Sequence, residues 1–115
     1  MINRMSVVIG YHSEFAKQLK TLAKKYHSLR SDYQKFLGDL EQNPYMGTDL
    51  GNGVRKVRMA ITSKGKGKSG GARVITYVVQ AIDQRHILVT LLTIYDKNEI
   101  ENVSDRYIKS LLASL

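Results

Sequence analysis

Cysteine is absent from the 115 residues, which excludes a disulfide framework and any cysteine-ligated metal site. That lack fits a reducing compartment, and a cytoplasmic location is the expectation. No apolar run approaches the roughly 18–20 residues needed to span a bilayer, so no membrane partner is expected. The start, Met1 to Ile9, is too short and too soon interrupted for a secretory leader. Acidic residues are missing from the whole stretch between Asp49 and Asp83.

What that stretch does hold is seven of the 18 basic residues: Arg55, Lys56, Arg58, Lys64, Lys66, Lys68 and Arg73. The other eleven face all ten acidic ones, so nearly all of the formal charge of +8 sits in one segment. A localised basic field favours an anionic partner, above all nucleic acid. The same run also fits a solvated lysine loop.

The length fits one domain, residues 1–115, with a hydrophobic fraction of 43% that is ordinary for a packed core. Val7, Val8 and Ile9 read as a first strand. Ser13 is a candidate cap for a helix from about Glu14, with Phe15, Leu19, Leu22 and Tyr26 on one face and Lys17, Lys20 and Lys24 opposite. Ser31 and Gln34 suggest a capping box for a second helix, striped by Leu29, Tyr33, Phe36, Leu37 and Leu40 and ended by Asn43-Pro44. Gly47, Gly51 and Gly53 mark a turn-rich connection.

From Val54 the period becomes two. Val57, Met59 and Ile61 point one way, Lys56 and Arg58 the other. A strand from Ala72 to Val79 places Val74, Thr76 and Val78 on one face and Arg73, Ile75 and Tyr77 on the other. Ile87 to Tyr95 is almost continuously apolar, as a central strand covered on both faces would be. Ser104 caps a last helix with Tyr107, Ile108, Leu111, Leu112 and Leu115 as its stripe. The expected order is β-α-α-β-β-β-α, with residues 63–71, rich in lysine and glycine, as a flexible hairpin tip.

Gly67-Lys68-Ser69 superficially suggests a phosphate loop, but Thr62 stands where that motif needs glycine, and no helix follows. His12, His27 and His86 are scattered without ligand spacing, so no metal is expected. Lys56 and Arg58 project about 6.6 Å apart along one strand. Arg73 is expected on the neighbouring strand, at the surface of the same face. Three converging cations suit a polyanion and the developing charge of phosphoryl transfer. They equally suit an exposed face dotted with basic residues. Tyr95-Asp96-Lys97-Asn98-Glu99 ends the apolar strand, as part of a site or as a plain turn.

Lys56-Val57-Arg58, then Gly70-Gly71-Ala72-Arg73-Val74-Ile75-Thr76-Tyr77, then Leu91-Leu92-Thr93-Ile94-Tyr95-Asp96-Lys97-Asn98-Glu99, together resemble the RelE/ParE superfamily of type II toxin–antitoxin toxins, nearest its HigB-like branch. The resemblance covers nearly the whole chain. It implies an α+β fold, a small twisted, mainly antiparallel sheet carrying a helical hairpin and a C-terminal helix. It also implies an endoribonuclease that cuts mRNA in the 30S A site of the ribosome without metal or cofactor, and a cognate antitoxin as partner.

By the same resemblance Lys56 and Arg58 match the paired basic residues of the family's second strand. Arg73 matches its phosphate-binding arginine, and Lys97 the late basic residue that protonates the leaving group. Lys64, Lys66 and Lys68 would add phosphate contacts from the loop. The tyrosine that some RelE members carry near the C-terminus aligns here with about Val103. Tyr95, Asp96 and Tyr77 are the candidates to replace it. A ParE-like gyrase inhibitor and a non-catalytic nucleic-acid-binding relic are the competing classes.

Overall fold

Alternating segments become strands and helically periodic ones become helices. The computed structural model describes residues 6–65, 67–81 and 85–115. Among these the order is β1 (Ser6–Tyr11), α1 (Ser13–Lys25), α2 (Leu29–Gln42), β2 (Thr48–Gly51), β3 (Val54–Met59), β4 (Ala72–Ala81), β5 (His86–Asp96) and α3 (Asp105–Ala113). The fold is α+β, a five-stranded sheet in the order β1-β5-β4-β3-β2. Only the β1–β5 pairing is parallel. No helix among the described residues is long and apolar enough to cross a membrane.

The period-two pattern sorts the sheet into two faces. Val57, Met59, Val74, Val78, Val89 and Leu91 pack under the α1–α2 hairpin, against Phe15, Leu22, Leu29, Phe36 and Leu40. Val54, Ile75, Leu92 and Tyr95 face the other way and receive Ile108 and Leu111 of α3. The α3 face is only partly covered. Leu88 partners Val8 on one side and Val79 on the other, and all three remain exposed. The apolar run of β5 is therefore buried throughout only from Leu91 to Asp96.

The structure departs from the sequence expectation at several boundaries. His12, not Ser13, caps α1, its Nδ1 accepting from the Glu14 N–H at 3.0 Å. Helix α2 starts at Leu29, so Ser31 sits inside it and bonds back to the Ser28 carbonyl. The 47–53 connection contains a strand, because Asn52 and Gly53 adopt positive φ (55° and 82°) between β2 and β3. An Asn-Gly pair is what a two-residue hairpin turn of this kind demands. Leu115 does not join the stripe of α3 but is exposed.

One polar side chain ties three elements together. Strand β1 ends at Tyr11, opposite Leu91, so the rest of β5 has no strand partner on that side. Gln18 of α1 fills the gap. Its Oε1 accepts from the Ile94 N–H (3.0 Å) and the Thr93 hydroxyl (2.7 Å), while its Nε2 donates to the Tyr107 hydroxyl of α3 (3.0 Å).

Candidate nucleic-acid interface

Strand register brings the basic residues together. Arg58 of β3 lies directly across from Arg73 of β4, which lies directly across from Tyr95 of β5. Lys56 is two residues back along β3, on the same face, where its Nζ donates to Asn102 Oδ1 at 3.1 Å. Lys97 is exposed one residue beyond β5, and its N–H bonds the Gly71 carbonyl at 3.2 Å. Lys68 is exposed on the loop that leads into Arg73. Lys66 lies outside the described residues.

Arg73 is not the surface residue the sequence suggested: it is 6% exposed. Its guanidinium donates to the carbonyls of Lys68 (3.1 Å), Ala72 (3.3 Å) and Ser69 (3.4 Å). Two of these three bonds hold the loop that precedes it, and the third stays within β4. Burial pulls its pKa down, Arg58 opposite adds to this, and Tyr95 acts the other way. Tyr95 is 5% exposed and its hydroxyl is buried without a hydrogen-bond partner. Burial raises the phenol's pKa against the opposing pull of Arg73 and the nearby Val103 N–H, so the group stays protonated at neutral pH.

The described parts of the loop are tied to the helical hairpin and to β3. It contains two 3-10 turns, Thr62–Lys64 and Lys68–Gly70. Asp32 of α2 accepts from the Thr62 N–H and hydroxyl, both at 3.0 Å, and Ser28 accepts from the Ser63 N–H at 2.9 Å. Gly71 runs so close to β3 that a Cβ there would lie 2.2 Å from the Met59 carbonyl oxygen. The glycines that looked like freedom thus permit close backbone packing here.

Two of the expected site residues lie elsewhere. Asp96 is 2% exposed on the opposite face, under the helical hairpin. Lys64 Nζ pairs with its Oδ1 at 2.8 Å, Tyr26 donates to its Oδ2, and the Asn98 N–H donates to Oδ1 at 2.9 Å. Burial pushes the Asp96 carboxyl up, but these hydrogen bonds together outweigh it and hold the group below the usual carboxylate range. Lys64, with its side chain 8% exposed, is spent on this pair and is not presented to a ligand. A basic residue in a lysine-rich loop gives no sequence signal for such a fate.

Of the seven cations in the acid-free stretch, Arg55 is drawn to Asp49 (3.9 Å) and to the Met46 and Gly47 carbonyls. Lys56, Arg58, Lys68 and Arg73 have no carboxylate partner among the described residues. Among the described residues no group of three His, Asp or Glu side chains gathers as metal ligands would.

A sheet with one parallel edge strand, a helical hairpin on one face, and a short C-terminal helix beside a row of cations on the other is the RelE-like toxin fold. It is shared with a double arginine-to-alanine mutant of the E. coli toxin RelE in the free state, at TM-score 0.58 and 11% identity, over 96% of this chain and 99% of that one. It is shared too with isolated E. coli RelE toxin in a P21 crystal form, at TM-score 0.52 and 14% identity, over 93% and 97% of the two chains. No family model matches the chain.

Proposed function

We propose that this protein is the toxin of a type II toxin–antitoxin pair, an endoribonuclease that cuts mRNA in the ribosomal A site. It works in the cytoplasm and is neutralised by a cognate antitoxin. The observation that carries the reading is the Arg58–Arg73–Tyr95 row, flanked by Lys56 and Lys68, whose positive charge no carboxylate of the described residues offsets. In a type II pair an acidic antitoxin would neutralise that charge.

In this reading the phosphate of a single strand lies on Arg58 and on the donors that Arg73 has left. The ribose 2′-hydroxyl passes its proton to a solvent water and attacks the adjacent phosphorus, and the bond to the 5′-oxygen breaks. The products are a 2′,3′-cyclic phosphate and a 5′-hydroxyl. The arginines stabilise the charge that builds on the phosphoryl oxygens. Tyr95, held protonated, serves as a hydrogen-bond donor rather than a base. Lys97, exposed at the end of β5, delivers the proton to the leaving oxygen. Asp96 acts in folding. The reaction draws on no metal and no cofactor.

A second reading is favoured by one observation: the Arg73 guanidinium is already hydrogen-bonded to loop carbonyls. On that reading the face binds RNA without cutting it. Induced expression separates the classes. Rapid arrest of translation supports the nuclease, DNA-damage signalling a gyrase inhibitor, and undisturbed growth a passive binder.

A further inference from the structure

A cavity of about 200 Å³ opens beside Lys56, on the face that carries the cation row. Ile75 and Ile108 give it apolar walls, and Lys56, Tyr95, Asn102 and Asp105 give it polar ones. A water occupies about 30 Å³ of liquid, so the space holds several waters or one planar heterocycle.

The polar groups are unevenly satisfied. Asn102 Oδ1 is taken by Lys56, which leaves the Asn102 amide N–H groups and the remaining ammonium donors of Lys56. Asp105 makes no ion pair or hydrogen bond with the described residues, and as a carboxylate it only accepts. The buried Tyr95 hydroxyl has the Val103 N–H close to its oxygen but donates to no acceptor of the described residues, so its O–H is left for a ligand atom. The cavity thus offers an acceptor in Asp105, donors in Asn102 and Lys56, and apolar walls. Lys56 is two residues from Arg58, about 6.6 Å along the strand, so a strand held at Arg58 brings its own bases to the opening.

We propose that this cavity is a base-selecting subsite that receives one unpaired nucleobase bearing an exocyclic amine, with Asp105 accepting from the amine and Asn102 and Lys56 donating to the neighbouring ring acceptor. This rests on the RNA-binding reading above. Adenine, cytosine and guanine all carry such an amine. Uracil has no such amine: to place its ring N3–H on Asp105 it must bring a second carbonyl oxygen beside the carboxylate, so it binds less well. A correct bidentate pair at a base edge discriminates by about fivefold to a hundredfold, and a preference of about tenfold is expected.

The test is fluorescence anisotropy with labelled hexanucleotides whose riboses are 2′-O-methylated, which blocks cleavage. Hexauridylate is compared with hexamers carrying one central adenine, cytosine or guanine. The wild type should bind at least one of the amine-bearing hexamers about tenfold more tightly than hexauridylate. In Asp105→Ala that ratio should fall to within twofold. Losing the negative charge strengthens the phosphate attraction equally for every hexamer, while losing the acceptor weakens only the amine-bearing ones, so the ratio and not the affinity is the readout. Asn102→Ala should lower the ratio too, and thermal melts of both variants verify folding. Hexamers that bind equally well, or an Asp105→Ala protein that keeps its ratio, would overturn the subsite while leaving RNA binding standing. If no hexamer binds, the RNA reading fails and the subsite fails with it.

Discussion

Replacing Arg73 tests the structure and the chemistry at once, because the side chain serves both. Arg73→Ala removes a guanidinium that is 6% exposed and bonded to three carbonyls. The Lys68 and Ser69 carbonyls belong to exposed loop residues, so water replaces the arginine there. Ala72 is fully buried, and its carbonyl loses a charge-assisted bond worth about 1.5–3 kcal/mol. Relief of the repulsion with Arg58 and of the guanidinium's desolvation offsets part of that loss. The net cost should be about 2 kcal/mol. At about 4 °C per kcal/mol for a chain of this size, the melting temperature falls by roughly 8 °C. Arg73→Lys keeps the charge but not the planar fork, and should fall between.

Single-turnover cleavage is then measured well below both melting points, so that every molecule is folded. Arg73→Ala should cut at least 100-fold more slowly, the loss of about one oxyanion donor. Arg58→Ala is the control: Arg58 is exposed, so it should lose cleavage with a stability change within about 0.5 kcal/mol. A stable, fully active Arg73→Ala protein would refute both the clamp and the site. A destabilised protein that cuts at full rate would reduce Arg73 to a clamp.

Three further outcomes are expected. With four uncompensated cations meeting phosphates, the logarithm of RNA affinity should fall with log salt at a slope near −0.7 times four, about −2.8, and Arg58→Ala should flatten it by about 0.7, both read from anisotropy titrations. Asp96→Asn strands the Lys64 charge under the hairpin and should cost about 3–5 kcal/mol in urea unfolding. Because the folded pKa of Asp96 is depressed, its contribution is complete above the unfolded value near 3.9 and is lost as pH falls through the folded one, so the wild type should lose stability below about pH 4 more steeply than Asp96→Asn. Gly71→Ala forces a Cβ onto the Met59 carbonyl and should destabilise by about 1–3 kcal/mol, visible as a lower melting temperature.

The faces of the strands were legible because alternation is a local pattern: Lys56 and Arg58 against Val57 and Met59, Arg73 against Val74. Pairing Arg58 with Arg73 needed only the knowledge that the two strands are neighbours. What sequence could not supply is which charges fold inward. Lys64 and Lys68 look alike in the chain, yet one lies beneath Tyr26 and Asp96 and the other is exposed. That difference depends on where α1 ends relative to β5, a contact between residues 70 positions apart. Gln18 was hidden for the same reason, since nothing in the sequence says that β1 stops short of Thr93. The Asn52-Gly53 turn was readable, and its dipeptide is the signal that reveals β2.

Mapping the ends of an mRNA incubated with ribosomes and this protein shows whether the Arg58–Arg73 face cuts RNA. Discrete cuts within A-site codons are expected, leaving 5′-hydroxyl and 2′,3′-cyclic phosphate ends, and Arg58→Ala should abolish them. Intact mRNA in the presence of folded, RNA-bound protein would contradict cleavage by this face.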